Sequence, residues 1–473
     1  MQQKIYSPSD GSLIAERTLA SELDISDTLA NAFDGQRKWQ ATSIAQRAEY
    51  CRAAIAWFMT NKVEIASEIS QLMGRPIQYS QGEIAGLKER ADYMISIAEE
   101  ALADIEIQPN DKNFKRIIRP TPLGTAFIIA PWNYPYLTAI NSIIPALMAG
   151  NCVILKHASQ TLLCAERFQQ AFKAAGLPTG VFQYLHLSHA QTLATIREDD
   201  INFVSFTGSV SAGNIIETNL AGYFKSLALE LGGKDAAYVR KDADLNIAVE
   251  SLVEGSFFNS GQSCCGIERI YVDASLFDDF VKQFVEQTKQ LLLGHALDPN
   301  TTLGPMISAK AITHAQTQID QAVELGAETH INELGFRKAE LNFRRSEQAD
   351  LAQGHYMAPQ VLTHVSHDMD IMREESFAPI IGIMSVENDE QAIDYINDSV
   401  YGLSASIWTG DEEAGLALCN NINTGTVFIN RSDYLDPSLP WNGIKDSGRG
   451  CSLSYLGYQQ LTRPKSIHIK RQA

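Results

Sequence analysis

The chain runs to 473 residues, with a formal net charge of −18, 45% hydrophobic and 20% charged residues. That length accommodates two or three domains with sizeable cores, and the acidic balance argues against nucleic acid or an anionic membrane as partner. Seven cysteines, at 51, 152, 164, 264, 265, 419 and 451, are odd in number and irregularly spaced, with no CxxC and no His/Cys cluster at zinc spacing, which points to a reducing compartment without a disulfide framework or a metal.

The N-terminal stretch MQQKIYSPSDGSLIAERTLAS sets a turn signal between short apolar pieces. It predicts a hairpin and lacks the apolar centre of a secretion signal. Apolar runs such as AFIIA and SIIPALMAG are much shorter than the roughly 20 residues of a membrane span, so the cytoplasm is the expected location. Helical periodicity follows at 21–38, 43–72 and 82–104, after which FKRIIRPTPLG reads as an extended, proline-interrupted segment. From residue 125 the strand-like runs TAFIIA, NCVILK, VFQYL and INFVSF alternate with helical stretches at 137–149, 159–176 and 190–197. Such alternation predicts an α/β fold whose parallel sheet binds ligands beyond the carboxyl ends of its strands. After LELGGKD a second α/β stretch is expected, with helices at 244–258, 275–292 and 307–327 and strands near 379–385, 404–408 and 426–430. The closing TRPKSIHIK alternates as a strand, and an unpaired terminal strand needs cover, for which pairing with another subunit is one solution.

Five stretches at strand ends carry chemistry. In IIAPWNYP, the Asn133 amide suits a developing oxyanion or, more plainly, an Asx turn. In GNCVILKHASQT, Lys156 and a helix-capping Ser159 suit a ribose hydroxyl or phosphate, or are an ordinary cap and a surface lysine. In FVSFTGSVSAG, Gly208 and Gly213 form a glycine-bearing strand-to-helix turn, although Val210 takes the place of the second glycine of GxGxxG. Glu230 in LELGGKD is a general base raised in pKa by desolvation, or a buried, paired glutamate. In NSGQSCCGIER, the adjacent Cys264 and Cys265 read as a redox pair, half a metal site, or one nucleophile beside a packing residue. Proximity to a helix start would lower a thiol's pKa there.

In this order and at these intervals, the five resemble the aldehyde dehydrogenase superfamily. Two further stretches agree: EESFAP at 374–379 is similar to the family's EExFGP, and PWNGIKDSGRG at 440–450 to its PFGGxKxSGxGRE. The resemblance implies a Rossmann-like cofactor domain (1–104, 125–233 and 447–460), a second α/β catalytic domain (234–446) and a small β oligomerisation element (105–124 and 461–473). It also implies a homodimer or homotetramer and an NAD(P)-dependent, non-acylating oxidation of an aldehyde to its acid. By the GQxCxxxxR pattern, Cys264 is the nucleophile, with Gly261, Gln262 and Arg269 as its motif partners. Glu230 matches the base that activates the hydrolytic water, and Asn133 the oxyanion donor. Trp132, Lys156, Ser159, Gly208, Ser209, Gly232, Glu375 and Phe377 match cofactor-binding positions. By position, Tyr134, Leu137, Asn141, Ser263, Cys265, Tyr434 and Trp441 would line the substrate pocket. A CoA-acylating relative and a non-catalytic protein on the same scaffold are the alternatives. The first usually lacks the glutamate present here as Glu230, and the second need not keep Cys264, Glu230 and Asn133 together.

Departures from the pattern carry information. Lys156-His157-Ala158-Ser159 stands where many NAD-using relatives have Lys-Pro-Ser-Glu. Serine removes a carboxylate that would repel a 2′-phosphate, so NADP is the expected cofactor, with NAD as the alternative. Ala378 and Asn442 replace family glycines, and residues 331–354 form a longer, more polar connection than usual, read as a surface insertion, with a lid or a substrate-contacting role as the alternative. A dicarboxylic semialdehyde would call for placed arginines, and Arg431 is the local candidate in sequence.

Overall fold

The computed structural model describes all residues except 109–112, 333–335, 337–353, 433 and 472–473. The polar connection at 331–354 therefore falls almost wholly outside the described residues. The N-terminal strands Gln2–Tyr6 and Leu13–Thr18 pair antiparallel as a hairpin. Four helices follow, Glu22–Trp39, Ile44–Thr60, Lys62–Met73 and Ile77–Ala101. The single helix expected over 43–72 is two, because Asn61 leaves helical geometry (φ −99°, ψ 10°) and turns its side-chain amide back onto the Trp57 carbonyl at 2.8 Å. The helix expected from residue 82 begins five residues earlier, directly after Pro76, where proline's fixed φ favours a helix start. Among the described residues, no helix is long and apolar enough to cross a membrane.

The six-stranded sheet has the order Gly448–Arg449, Ser226–Glu230, Ile201–Thr207, Thr125–Ala130, Cys152–His157, Phe182–Tyr184, parallel except for the first. From Thr125–Ala130 the chain steps outward through Cys152–His157 to Phe182–Tyr184, then returns to the other side at Ile201–Thr207. The order thus reverses between Thr125–Ala130 and Ile201–Thr207, the switch point at which open α/β sheets leave a crevice for a ligand. Both faces are covered, which is why these strands read as unbroken apolar runs. Ala126, Ile128 and Ala130 pack into one core with the N-terminal helices, and Phe127 and Ile129 into another.

The seven-stranded sheet runs Glu328–Thr329, Gln360–Thr363, Ile380–Val386, Ile267–Asp273, Asp235–Val239, Ser404–Trp408, Thr426–Ile429, again parallel except for the first. Ala236 and Tyr238 face one core, Ala237 and Val239 the other. The third sheet corrects an expectation: the terminal strand Thr462–Lys470 is not left unpaired. It runs antiparallel to Phe114–Pro122 from Thr462 opposite Pro122 to Lys470 opposite Phe114, with Ile105–Ile107 on the far side. One edge of the terminal strand stays open.

Candidate active site

The two adjacent cysteines sit in a turn between the 3₁₀ segment Phe258–Gly261 and the strand Ile267–Asp273. Three consecutive residues enter that turn left-handed, Asn259 (φ 55°), Ser260 (φ 58°) and Gly261 (φ 69°). At Gly261 any Cβ would run into the Ala378 carbonyl. Strain of this kind persists only where surrounding bonds enforce it, and here they are dense. Gln262 donates to the Asn259 carbonyl at 3.1 Å and accepts from Ile307 N at 2.8 Å, while Ser260 Oγ donates to the Gly304 carbonyl at 2.8 Å.

No helix starts at Cys264, so the expected lowering of its pKa has no source. The neighbouring Cys265 thiol and burial hold the Cys264 thiol well above the ordinary range. Cys265 itself is buried within the core of the first sheet, and its sulfur lies 3.6 Å from Ser263 Oγ.

Glu230 ends the strand Ser226–Glu230. Burial pushes its carboxyl pKa up, against the pull of hydroxyls that include Thr207, whose Oγ1 lies 3.3 Å from Oε2, and of the Arg90 charge. Glu230 and Cys264 come from different sheets and share one cavity of about 420 Å³. Tyr134, Leu137, Asn141, Ser263, Cys265, Tyr434 and Trp441 line that same cavity. Asn133 does not line it. It is buried behind, its amide donating to the Gln262 carbonyl at 3.2 Å, two residues before Cys264, with one further amide N–H left over. Arg75 donates to the Asn133 carbonyl at 2.5 Å and to Asn259 Oδ1 at 3.2 Å.

Sequence reasoning passed over the helix Ile77–Ala101, which supplies Tyr79, Glu83, Gly86 and Arg90 to the cavity wall. Their spacing of four, three and four was the available signal, since it is one helical face. Arg431, the arginine singled out in the sequence, does not line the cavity. It stacks on the Tyr434 ring at 3.8 Å outside the cavity, whereas Arg75 and Arg90 line it. Arg75 forms an ion pair with Glu83 in which both side chains are buried.

Next to the thiol turn, Glu375 accepts from Gly233 N at 3.2 Å, and a Cβ on Gly232 would sit 2.5 Å from its Oε1. Only glycine leaves this carboxylate room. Burial, reinforced by Glu268, raises the Glu375 pKa to about 8. Glu268 is 4% exposed and accepts from Lys234 Nζ at 2.7 Å, Ser376 N at 2.8 Å and Phe377 N at 2.8 Å. The segment Glu375–Phe377 therefore hangs from one buried carboxylate. Phe377 meets Trp132 edge-on at 5.7 Å. Arg269 is buried and donates to the carbonyls of Lys234, Tyr395 and Ile396. It fixes the strand behind the thiol.

The remaining cofactor candidates lie at the carboxyl ends of the six-stranded sheet. Ser209 caps the helix Val210–Leu220, and Gly208 N donates to the Glu230 carbonyl at 3.1 Å. Lys156 is 6% exposed, and burial lowers its pKa to about 8. Ser159 does not cap the following helix. It opens a 3₁₀ turn, Ser159–Thr161, and makes no capping bond, because the helix Leu162–Ala174 starts only after that turn. His157 is wholly buried between Thr161 Oγ1 (2.8 Å) and the Pro135 carbonyl (2.9 Å), and burial lowers its pKa to about 4. It packs as a neutral histidine and adds no charge for a phosphate.

Known proteins resemble this chain in sequence and in fold. The family model for the aldehyde dehydrogenase family matches residues 1–467. An Escherichia coli succinate semialdehyde dehydrogenase that uses NAD(P)+ is 32% identical over 461 residues, 97% of this chain and 96% of that protein. A Bacillus subtilis betaine aldehyde dehydrogenase is 30% identical over 440 residues, 92% of this chain and 87% of its own. The crystal structure of a Streptococcus pyogenes succinic semialdehyde dehydrogenase with NADP+ superposes with a TM-score of 0.92 at 28% identity, covering 99% of this chain and 100% of that one. Matched along its whole length in sequence and in fold, the chain belongs to the aldehyde dehydrogenase family, whose members here are NAD(P)-dependent enzymes that oxidise aldehydes to acids.

Proposed function

We propose that Cys264 is the nucleophile of this oxidation, Glu230 its general base and Asn133 a donor to the oxyanion. The observation that carries the reading is the meeting of Cys264 and Glu230 in the wall of one cavity. The Cys264 sulfur attacks the aldehyde carbonyl to give a thiohemiacetal. The thiol is held protonated by its surroundings, so its proton passes first to Glu230 across the shared cavity and from there to solvent. The Asn133 N–H not taken by Gln262 supports the oxygen that becomes negative. NAD(P)+ would supply the hydride acceptor needed to take the thiohemiacetal on Cys264 to a thioester. Glu230, made more basic by burial, then takes a proton from the water that cleaves the thioester to the acid. A carboxylate at this position favours hydrolysis over transfer to CoA.

Three features of the chain suit the cofactor. Lys156 is a buried cation with no ion-pair partner among the described residues. The N-terminus of the helix Val210–Leu220 opens beside the switch point and favours a phosphate. Gly232 makes room for Glu375. With serine at 159 in place of a carboxylate, NADP+ is the preferred form. The open edge of Thr462–Lys470 supports a homodimer or homotetramer, and seven free cysteines support a cytoplasmic location.

An aldehyde panel with NAD+ and NADP+, with and without CoA, tests the reading on the parent, Cys264→Ala and Glu230→Gln. The expected result is CoA-independent turnover favouring NADP+, none in Cys264→Ala, and a kcat about 10²–10⁴-fold lower in Glu230→Gln. Turnover that persists in Cys264→Ala removes the nucleophile assignment, and a requirement for CoA removes the hydrolytic one.

A further inference from the structure

The cavity holding Cys264 and Glu230 contains a charge that the oxidation does not use. Arg90 reaches it from the helix Ile77–Ala101. Its Nη1 donates to the Leu137 carbonyl at 3.1 Å and to Asn141 Oδ1 at 3.2 Å. Among the described residues it has no carboxylate bonded to it. Arg75, on the same wall, is neutralised by Glu83. Arg90 is partly buried, and Glu230 acts on it only through space; a partly desolvated guanidinium with no carboxylate bonded to it is costly unless something else supplies the anion.

Asn141 is 2% exposed. A guanidinium can only donate, so the Asn141 oxygen must face Arg90, and its NH2 is left without an acceptor among the described residues. The free guanidinium N–H groups and this amide form a donor set with no acceptor, the arrangement a carboxylate satisfies by charge-assisted bonds. Of the carboxylates whose charge reaches Arg90, Glu230 is the proposed base and accepts from Thr207, and the other two are committed elsewhere. Glu83 is paired with Arg75 and accepts from Tyr136 N at 2.7 Å, and Glu89, exposed at the rim, accepts the Tyr434 hydroxyl at 2.5 Å. The aromatic faces that would cradle a cationic tail are partly taken, Arg75 lying 4.4 Å over Tyr134 and Arg431 3.8 Å over Tyr434.

We propose that the substrate is an aldehyde with a carboxylate remote from its carbonyl, and that Arg90, with Asn141, is the receptor for that carboxylate. This rests on the catalytic reading above and adds the substrate class to it.

The test measures kcat/KM for 4-oxobutanoate, butanal and trimethylammonioacetaldehyde at saturating NADP+ in the parent, Arg90→Met and Arg90→Lys. The parent prefers 4-oxobutanoate to butanal. Arg90→Met lowers kcat/KM for 4-oxobutanoate by about 10- to 100-fold more than for butanal, mainly through KM. Arg90→Lys recovers part of the preference, as a point charge without the fork. Equal losses for both aldehydes, the signature of a role through Glu230, overturn the proposal, as does a parent that prefers butanal or the cationic aldehyde. A second readout is independent of turnover: butanoate, but not butanamide, protects the Cys264 thiol from iodoacetamide in the parent, and Arg90→Met abolishes the difference. Protection without turnover of any aldehyde sinks the catalytic reading and keeps the receptor. Turnover of butanal without preference or protection does the reverse.

Discussion

Replacing Glu268 by leucine tests whether one buried carboxylate holds the Glu375–Phe377 segment of the proposed cofactor site. The change strips the acceptor from Ser376 N, Phe377 N and Lys234 Nζ. A buried donor left without a partner costs about 1–3 kcal/mol, and breaking a buried ion pair from one side about 3–5 kcal/mol. Lys234 keeps Ser376 Oγ at 2.9 Å, which offsets part of the loss, so the expected destabilisation is about 3–5 kcal/mol. Urea unfolding followed by circular dichroism reads the stability, and quenching of tryptophan fluorescence by NADP+ reads cofactor affinity. Affinity should fall with stability, because Glu375 and Phe377 are carried by the same segment. Adding Lys234→Met to Glu268→Leu removes the orphaned ammonium and should return about 2 kcal/mol of the loss. A single-variant loss below about 1 kcal/mol, or strictly additive losses in the double variant, would refute the view that the pair is buried and obligatory.

Two further outcomes follow from the same geometry. In the cofactor-free protein, iodoacetamide should label Cys264 slowly at neutral pH and faster only above the range in which an ordinary thiol ionises, because the thiolate appears as pH rises through a raised pKa. Cys265→Ala, which removes the first cause, should shift that rise to lower pH, and half-maximal labelling below about pH 8 in the parent contradicts the environment described. Gly232→Ala places a methyl against the Glu375 carboxylate, the end of a movable side chain. The KM for NADP+ should rise about 10-fold with little change in melting temperature, and an unchanged KM means that Glu375 is not needed where it stands.

The strand-end motifs were legible because glycines and polar residues interrupt apolar runs there, as at Asn133, Lys156, Gly208 and Glu230. The strand Ile267–Asp273 was not, since Glu268 and Arg269 break its apolar pattern although both are buried. Their partners, Lys234 and the 375–377 and 395–396 backbone, are remote in sequence and leave no local trace. The same holds for the terminal strand, which finds its partner at residues 114–122. Ser159 looked like a helix cap because serine before an apolar run is a cap in most sequences, but a 3₁₀ turn intervenes. Arg90 was missed because a long Ala-rich helix reads first as packing, and its four-three-four spacing marks a face without saying that the face lines a cavity.

The seam between the two large sheets also governs when the chain becomes chemically competent. Glu230 ends a strand of one sheet and Cys264 precedes a strand of the other, while the Asn133–Gln262 bond spans the gap between them. With only the first sheet formed, the chain holds the proposed base and no nucleophile. With only the second, it holds the proposed nucleophile, not yet buried against the first sheet, and no base. The proposed oxidation and hydrolysis therefore become possible together, with the docking that also buries the thiol.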